Sequence, residues 1–146
     1  MKKTIIAILA VAIVVGLSVL SYQKFKLANI PAPVVVTPQT GLIVDTPQEN
    51  ATVTSPLVVS GHIDGTEYWT GFEGQVGTVR LLDGNGNLLV LGILTATTDW
   101  MQLPTSFSTT LIFTTPTTSI GTLVFKNENP SGMPEREKQF ILPINF

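Results

Sequence analysis

Val79-Arg80-Leu81-Leu82-Asp83-Gly84-Asn85-Gly86-Asn87-Leu88-Leu89-Val90-Leu91 decides how this chain folds. Two apolar runs flank Asp-Gly-Asn-Gly-Asn, residues that reach positive φ at little steric cost. Such a pattern closes a β-hairpin. The rest of the chain reads as short strands arranged around this one.

Upstream, Leu42-Ile43-Val44 is a first short strand and Asp45 to Asn50 a turn. Leu57 to Ile63 alternates, with Leu57, Val59, Gly61 and Ile63 on one face and Val58, Ser60 and His62 on the other. Phe72 to Leu82 is a longer strand with one fault in its period: Val79 and Leu81 are offset by one residue from Phe72, Gly74 and Val76. An extra residue at Gly77-Thr78, a β-bulge, would restore the register. Downstream, the hairpin returns from Leu88 to about Thr95. Phe107, Thr109, Leu111 and Phe113 alternate, and Leu123 and Phe125 mark another strand. Phe140, Leu142, Ile144 and Phe146 share one face of the last, and Pro143 marks it as an edge or turns its missing donor off the ladder. No helical period appears after residue 30. The pattern predicts an all-β chain from 41 to 146, an antiparallel β-sandwich of about seven strands.

Ahead of it, Lys2-Lys3 precedes an uncharged run from Thr4 to Gln23. As a helix this run rises about 30 Å, enough to cross the hydrocarbon core. Residues 1–26 therefore read as a signal anchor or a signal peptide. Val19-Leu20-Ser21 is a poor cleavage site, and Lys24 and Lys26 supply a polar far flank, which favours the anchor. Residues 27–40 hold Pro31, Pro33 and Pro38 and read as an extended linker. The expected location is the bacterial cytoplasmic membrane, crossed once by residues 4–23, with the domain outside; secretion after cleavage is the alternative.

Composition narrows the chemistry. There is no cysteine, which removes disulfides, thiolate catalysis and thiolate metal sites. Beyond residue 26 only Arg80, Lys126, Arg136 and Lys138 face ten carboxylates, too few cations to track a phosphate backbone. His62, the single histidine, shares a strand face with Ser60 and Asp64, but i and i+2 neighbours on a flat strand do not converge on a substrate. Asp83 opens what resembles a calcium loop, yet Leu88 stands where glycine is needed and Leu94 where a bidentate glutamate belongs. A plain turn is the expectation, with no cofactor and no metal.

The series Thr46-Pro47, Val53-Thr54-Ser55-Pro56-Leu57-Val58-Val59-Ser60-Gly61, Phe72-Glu73, Leu82-Asp83-Gly84-Asn85-Gly86, Asp99-Trp100, Gly121-Thr122-Leu123 and Pro130-Ser131-Gly132 resembles one bacterial family. It is the immunoglobulin-like domain of sporulation and spore-germination proteins, often found beside a GerM domain. The resemblance spans about Leu42 to Phe146. It implies an extracytoplasmic immunoglobulin-like sandwich without known catalysis, acting in protein or envelope contacts, and it transfers no site residue. The chain departs from the family in lacking a GerM domain, in a longer Trp100-to-Phe107 interval and in the extra residue near Gly77.

The expected function is a non-catalytic, membrane-tethered interaction module of the cell envelope. A cell-wall glycan ligand is the alternative, and a hydrolase with a carboxylate pair the more distant one. The candidate binding surface is the loop end: Tyr68, Trp69 and Glu73 in one loop, Asn129, Ser131 and Glu135 in another. Exposed loop aromatics grip a partner or a sugar ring. For Trp69 the competing expectation is burial beneath its own loop.

Overall fold

A computed structural model of the protein describes residues 41–146. The expected span over residues 4–23 and linker over 27–40 lie outside the described residues. Among the described residues no helix is long and apolar enough to cross a membrane.

Alternating apolar residues form seven antiparallel strands: β1 (Leu42–Thr46), β2 (Leu57–Ile63), β3 (Gln75–Asp83), β4 (Leu88–Ala96), β5 (Thr105–Leu111), β6 (Ile120–Asn127) and β7 (Gln139–Asn145). Their order is β1-β2-β5-β4-β3-β6-β7. One sheet is folded on itself into two layers, β1-β2-β5 against β4-β3-β6-β7. The layers join where β5 meets the end of β4, pairing only Thr95 with Ser108 and Ala96 with Phe107. On the opposite side, the chain leaves β1 and Thr52 pairs in parallel with Asn145 of β7.

Period-two patterning accounts for the core. Leu57, Val59 and Ile63 of β2 are buried, as are Val79 and Leu81 of β3, Phe107 and Leu111 of β5, Leu123 and Phe125 of β6, and Leu142 and Ile144 of β7. Gly61 occupies an inward position because a side chain there would strike the Ile43 carbonyl and the Phe107 ring. The bulge in β3 is present, a residue earlier than the sequence reading places it. Gln75 pairs with Thr95 and Gly77 with Leu94, so Val76 is the extra residue, and it is fully buried. Gly77 takes φ +143° against the Lys126 carbonyl.

One boundary differs from the reading of the sequence. Phe72 to Gly74 are not strand; they close a turn in which Phe72 and Gln75 exchange backbone hydrogen bonds of 2.8 and 3.0 Å. Glu73 and Gly74 both take positive φ there, a conformation that an extended strand excludes. Pro143 lies on the edge strand β7. Asn145, two residues on, donates outward to Ala51 at 2.9 Å, so Pro143 lacks a donor on the side away from β6.

Candidate functional site

Asn127 builds the loop end. It continues the inward face of Leu123 and Phe125 and is buried. Its side-chain amide donates to the Tyr68 carbonyl and to the Arg136 carbonyl, each at 2.9 Å, and its Oδ1 accepts from the Lys138 N–H at 2.9 Å. One buried polar side chain thus ties the loop after β2 to the loop after β6. Its hydrogen bonds offset its burial. The β4–β5 loop joins them: Gly65 lies against Leu103, and Gly71 against Trp100.

Tyr68 stands half exposed in this cluster. The Arg136 guanidinium lies 5.6 Å from its ring centroid and the Lys138 ammonium 5.5 Å. Lys138 also pairs with Glu67 at 3.5 Å, and Lys126 with Glu137 at 3.1 Å. A shallow cleft of about 200 Å³ opens beside the ring, lined by Tyr68, Glu128, Asn129, Ser131 and Arg136 among others. The structure therefore brings Tyr68, Asn129 and Ser131 together. The polar groups of Asn129 and Ser131 are largely engaged within their own turn: Ser131 Oγ donates to Asn129 Oδ1 at 2.7 Å, and Asn129 Nδ2 donates to the Met133 carbonyl at 2.8 Å.

The remaining candidates lie elsewhere. Glu73, in the Phe72–Gln75 turn, and Glu135, in a short 3-10 turn, are exposed and do not line the cleft. Trp69 takes the buried alternative. It has no exposed surface, and its indole N–H finds no acceptor among the described residues. A side chain so placed holds the loop in position and cannot itself touch a partner. Arg136, Lys138 and Asn127 were missed by sequence reasoning. Only Asn127 carried a signal, as a polar residue continuing the apolar period of β6.

The catalytic constellations weighed from the sequence are not assembled. His62 Nδ1 lies 3.7 Å from Asp45, whereas Asp64 accepts the Thr66 N–H and hydroxyl at 2.8 Å each. Those Thr66 bonds, the backbone one first, hold the Asp64 carboxyl below its ordinary pKa. The Asp83 carboxylate is spent on its own turn. It accepts from the Asn85 and Asn87 N–H groups at 2.9 and 2.8 Å and from the Asn87 amide at 2.9 Å. The Asn87 amide is the main cause of its lowered pKa. Among the described residues no three histidine, aspartate or glutamate side chains are grouped to hold a metal.

A second candidate surface is lateral. From Leu88 to Leu94, strand β4 pairs with β3 on one side and with no strand on the other. No charged residue occurs between Asp83 and Asp99. Leu88 and Leu91 are each 56% exposed and Ile93 49%. In the outer face, Leu91 pairs with Arg80, Arg80 with Val124 and Val124 with Ile141, forming a mostly apolar row across four strands.

The sequence model of Gmad2, the immunoglobulin-like domain of bacterial spore germination, matches residues 42–134. The chain belongs to this family. No curated protein and no solved structure matches it. The Gmad2 match runs from β1 through the cleft loop and stops before β7. Leu82-Asp83-Gly84-Asn85-Gly86, which carried part of the resemblance, is the β3–β4 turn. Pro130-Ser131-Gly132 is the rim of the cleft, and Gly121-Thr122-Leu123 the start of β6. The extra residue expected near Gly77 is the β3 bulge.

Proposed function

We propose that this Gmad2 domain is a non-catalytic, extracytoplasmic interaction module tethered to the bacterial membrane, and that it makes protein contacts in the cell envelope. The observation that carries the proposal is the β4 edge, which has no ladder partner on the side away from β3 before Thr95. A long apolar strand without a ladder partner on one side is a template for another strand. It adjoins an apolar outer face, which adds side-chain contact to the backbone pairing. The family is not known as catalytic, and the cleft is lined by a single carboxylate, Glu128, where a glycosidase needs two across a bond. The apolar run at residues 4–23 supports the tether.

A cell-wall glycan at the loop end is the second reading. The exposed Tyr68 ring beside Glu128 favours it. Against it, Trp69 is buried and both Arg136 and Lys138 already crowd the ring.

Envelope pull-down with the full chain separates the two. Ile93→Lys should abolish recovery of protein partners, and Tyr68→Ala should leave it intact. The reverse pattern, with retention on peptidoglycan lost only in Tyr68→Ala, would replace the protein reading with the glycan one. For the tether, an uncleaved mass in the membrane fraction is the expected result, and a mature form starting near Tyr22 the contrary one.

A further inference from the structure

We propose that the cleft beside Tyr68 binds an α-amino carboxylate unit, as a free amino acid or as the C-terminal residue of a peptide. Arg136 holds the carboxylate, and Glu128 faces the nitrogen on its α-carbon. The site is separate from the β4 edge and does not depend on it.

Charge supplies the first argument. Lys126 and Lys138 spend their charges on Glu137 at 3.1 Å and Glu67 at 3.5 Å. Arg136 makes no ion pair among the described residues, and Glu128 makes none either. Both line the same cleft, yet they stand too far apart to pair with each other. Glu135, next to Arg136 in sequence, is exposed and does not line it. Two opposite charges that share a small cleft without meeting are complementary to a ligand that carries the same two charges in reverse.

Geometry supplies the second. The Arg136 N–H donates to the Met133 carbonyl at 3.0 Å, and its carbonyl accepts from the buried Asn127 amide at 2.9 Å. The same amide donates to the Tyr68 carbonyl at 2.9 Å. One side chain therefore fixes the two residues relative to each other before any ligand arrives, which lowers the cost of binding. The guanidinium lies over the Tyr68 ring, 5.6 Å from its centroid. A guanidinium stacked on a ring keeps its edge N–H donors for an acceptor in its own plane, and that fork matches a carboxylate. Size and surroundings narrow the ligand. A cleft of about 200 Å³ is smaller than the roughly 300 Å³ at which drug-sized pockets begin, so it takes about one residue. A sugar ring needs the Tyr68 face, where Arg136 and Lys138 already lie. Glu128 repels a phosphate dianion, whereas the nitrogen of an amino acid unit, as ammonium or as amide N–H, satisfies it.

Arg136 is exposed, so water competes for its donors and the expected Kd is about 1 mM. The test is a titration of the full chain in detergent micelles, followed by the backbone amide NMR signals of Asn129, Ser131 and Arg136. The probes are glycine, N-acetylglycylglycine and the C-terminal amide of that dipeptide. A carboxylate-bearing probe should shift these signals, and the amide should not. Glycine alone would assign the site to free amino acids; the acetylated dipeptide, with or without glycine, would assign it to peptide termini. Arg136→Gln should weaken the binding about fivefold with the circular dichroism spectrum unchanged, because Asn127 holds the backbone of residue 136 and not its side chain. Glu128→Gln should weaken glycine by a similar factor and the acetylated dipeptide by less, since an amide N–H carries no charge. Equal shifts from the dipeptide and its amide, no shift from either acid, or undiminished binding by Arg136→Gln would overturn the site. Undiminished glycine binding by Glu128→Gln would overturn the α-amino part of the assignment. Envelope pull-down reads the β4 edge, so the two sites can fail separately.

Discussion

The four-stranded layer ends in two edges, β7 and β4, and they are treated in opposite ways. Along β7, the segment after β1 lies over the outer edge. Asn50 and Val53 donate to the Pro143 and Asn145 carbonyls at 2.8 and 2.9 Å, and Asn145 donates to Ala51 at 2.9 Å. Pro143 withholds a donor in the same stretch. Along β4, the stretch before Thr95 has no ladder partner on the side away from β3, no proline and no charge, and only the Leu111 and Thr109 side chains of β5 lie against it at Gly92. Covering strands and prolines are the ordinary means of keeping a sheet edge from pairing with another molecule. Their presence on one edge and absence from the other marks β4 as the edge left available. The Tyr68 cleft is a weaker candidate, because its polar groups are mostly turned on one another.

The contrast can be broken from the covered side first. Val53 is buried and pins the covering segment to the core. Val53→Ala should cost about 2 kcal/mol in denaturant unfolding, and it should raise self-association by loosening the β7 cover. Stability loss without new association would show that the cover serves packing alone. A smaller loss, about 1 kcal/mol, is expected for Asn145→Ala, which removes the bond from its side-chain amide to the Asn50 carbonyl at 2.7 Å.

From the open side, Ile93→Lys should leave the unfolding free energy within about 0.5 kcal/mol. Envelope pull-down with this variant should then recover less partner protein than the parent. A large stability loss would mean that Ile93 packs against something in the monomer and that the edge is not free.

The smallest effect is at the hairpin turn that bounds the open stretch. Hydrogen bonds from Asn87 hold the Asp83 pKa below its ordinary value of 3.8. The unfolded chain therefore binds this proton more readily than the folded one. The contribution is present above about pH 4 and is lost as the pH falls through the depressed value. Asp83→Asn should flatten the acid limb of the stability profile by slightly lowering neutral stability while leaving the acid end unchanged; an unaltered acid limb would show the carboxylate to be idle.

Much of this was legible in the residues. Leu57, Val59 and Ile63, or Leu123 and Phe125, read correctly because a half-buried strand must alternate. The fault at Val79 could be read as a bulge for the same reason, though its position slipped by a residue because any of Val76, Gly77 and Thr78 restores the period. Phe72 to Gly74 misled, since a turn at positive φ can mimic alternation over three residues. Trp69 could not be assigned to the surface or the interior, because a loop aromatic has no period to place it.

The sequence by itself determined that the chain from residue 41 is an all-β sandwich and which inward residues make its core. Local spacing and the period of the strand are enough for that. Only the tertiary structure decided that Asn127 binds two loops into one end, that Trp69 is inside, and that β4 lacks a ladder partner on one side before Thr95 while β7 is covered. Those facts depend on which distant segments meet. A lone strand offers donors and acceptors on both sides, and only the fold decides which of them find a partner.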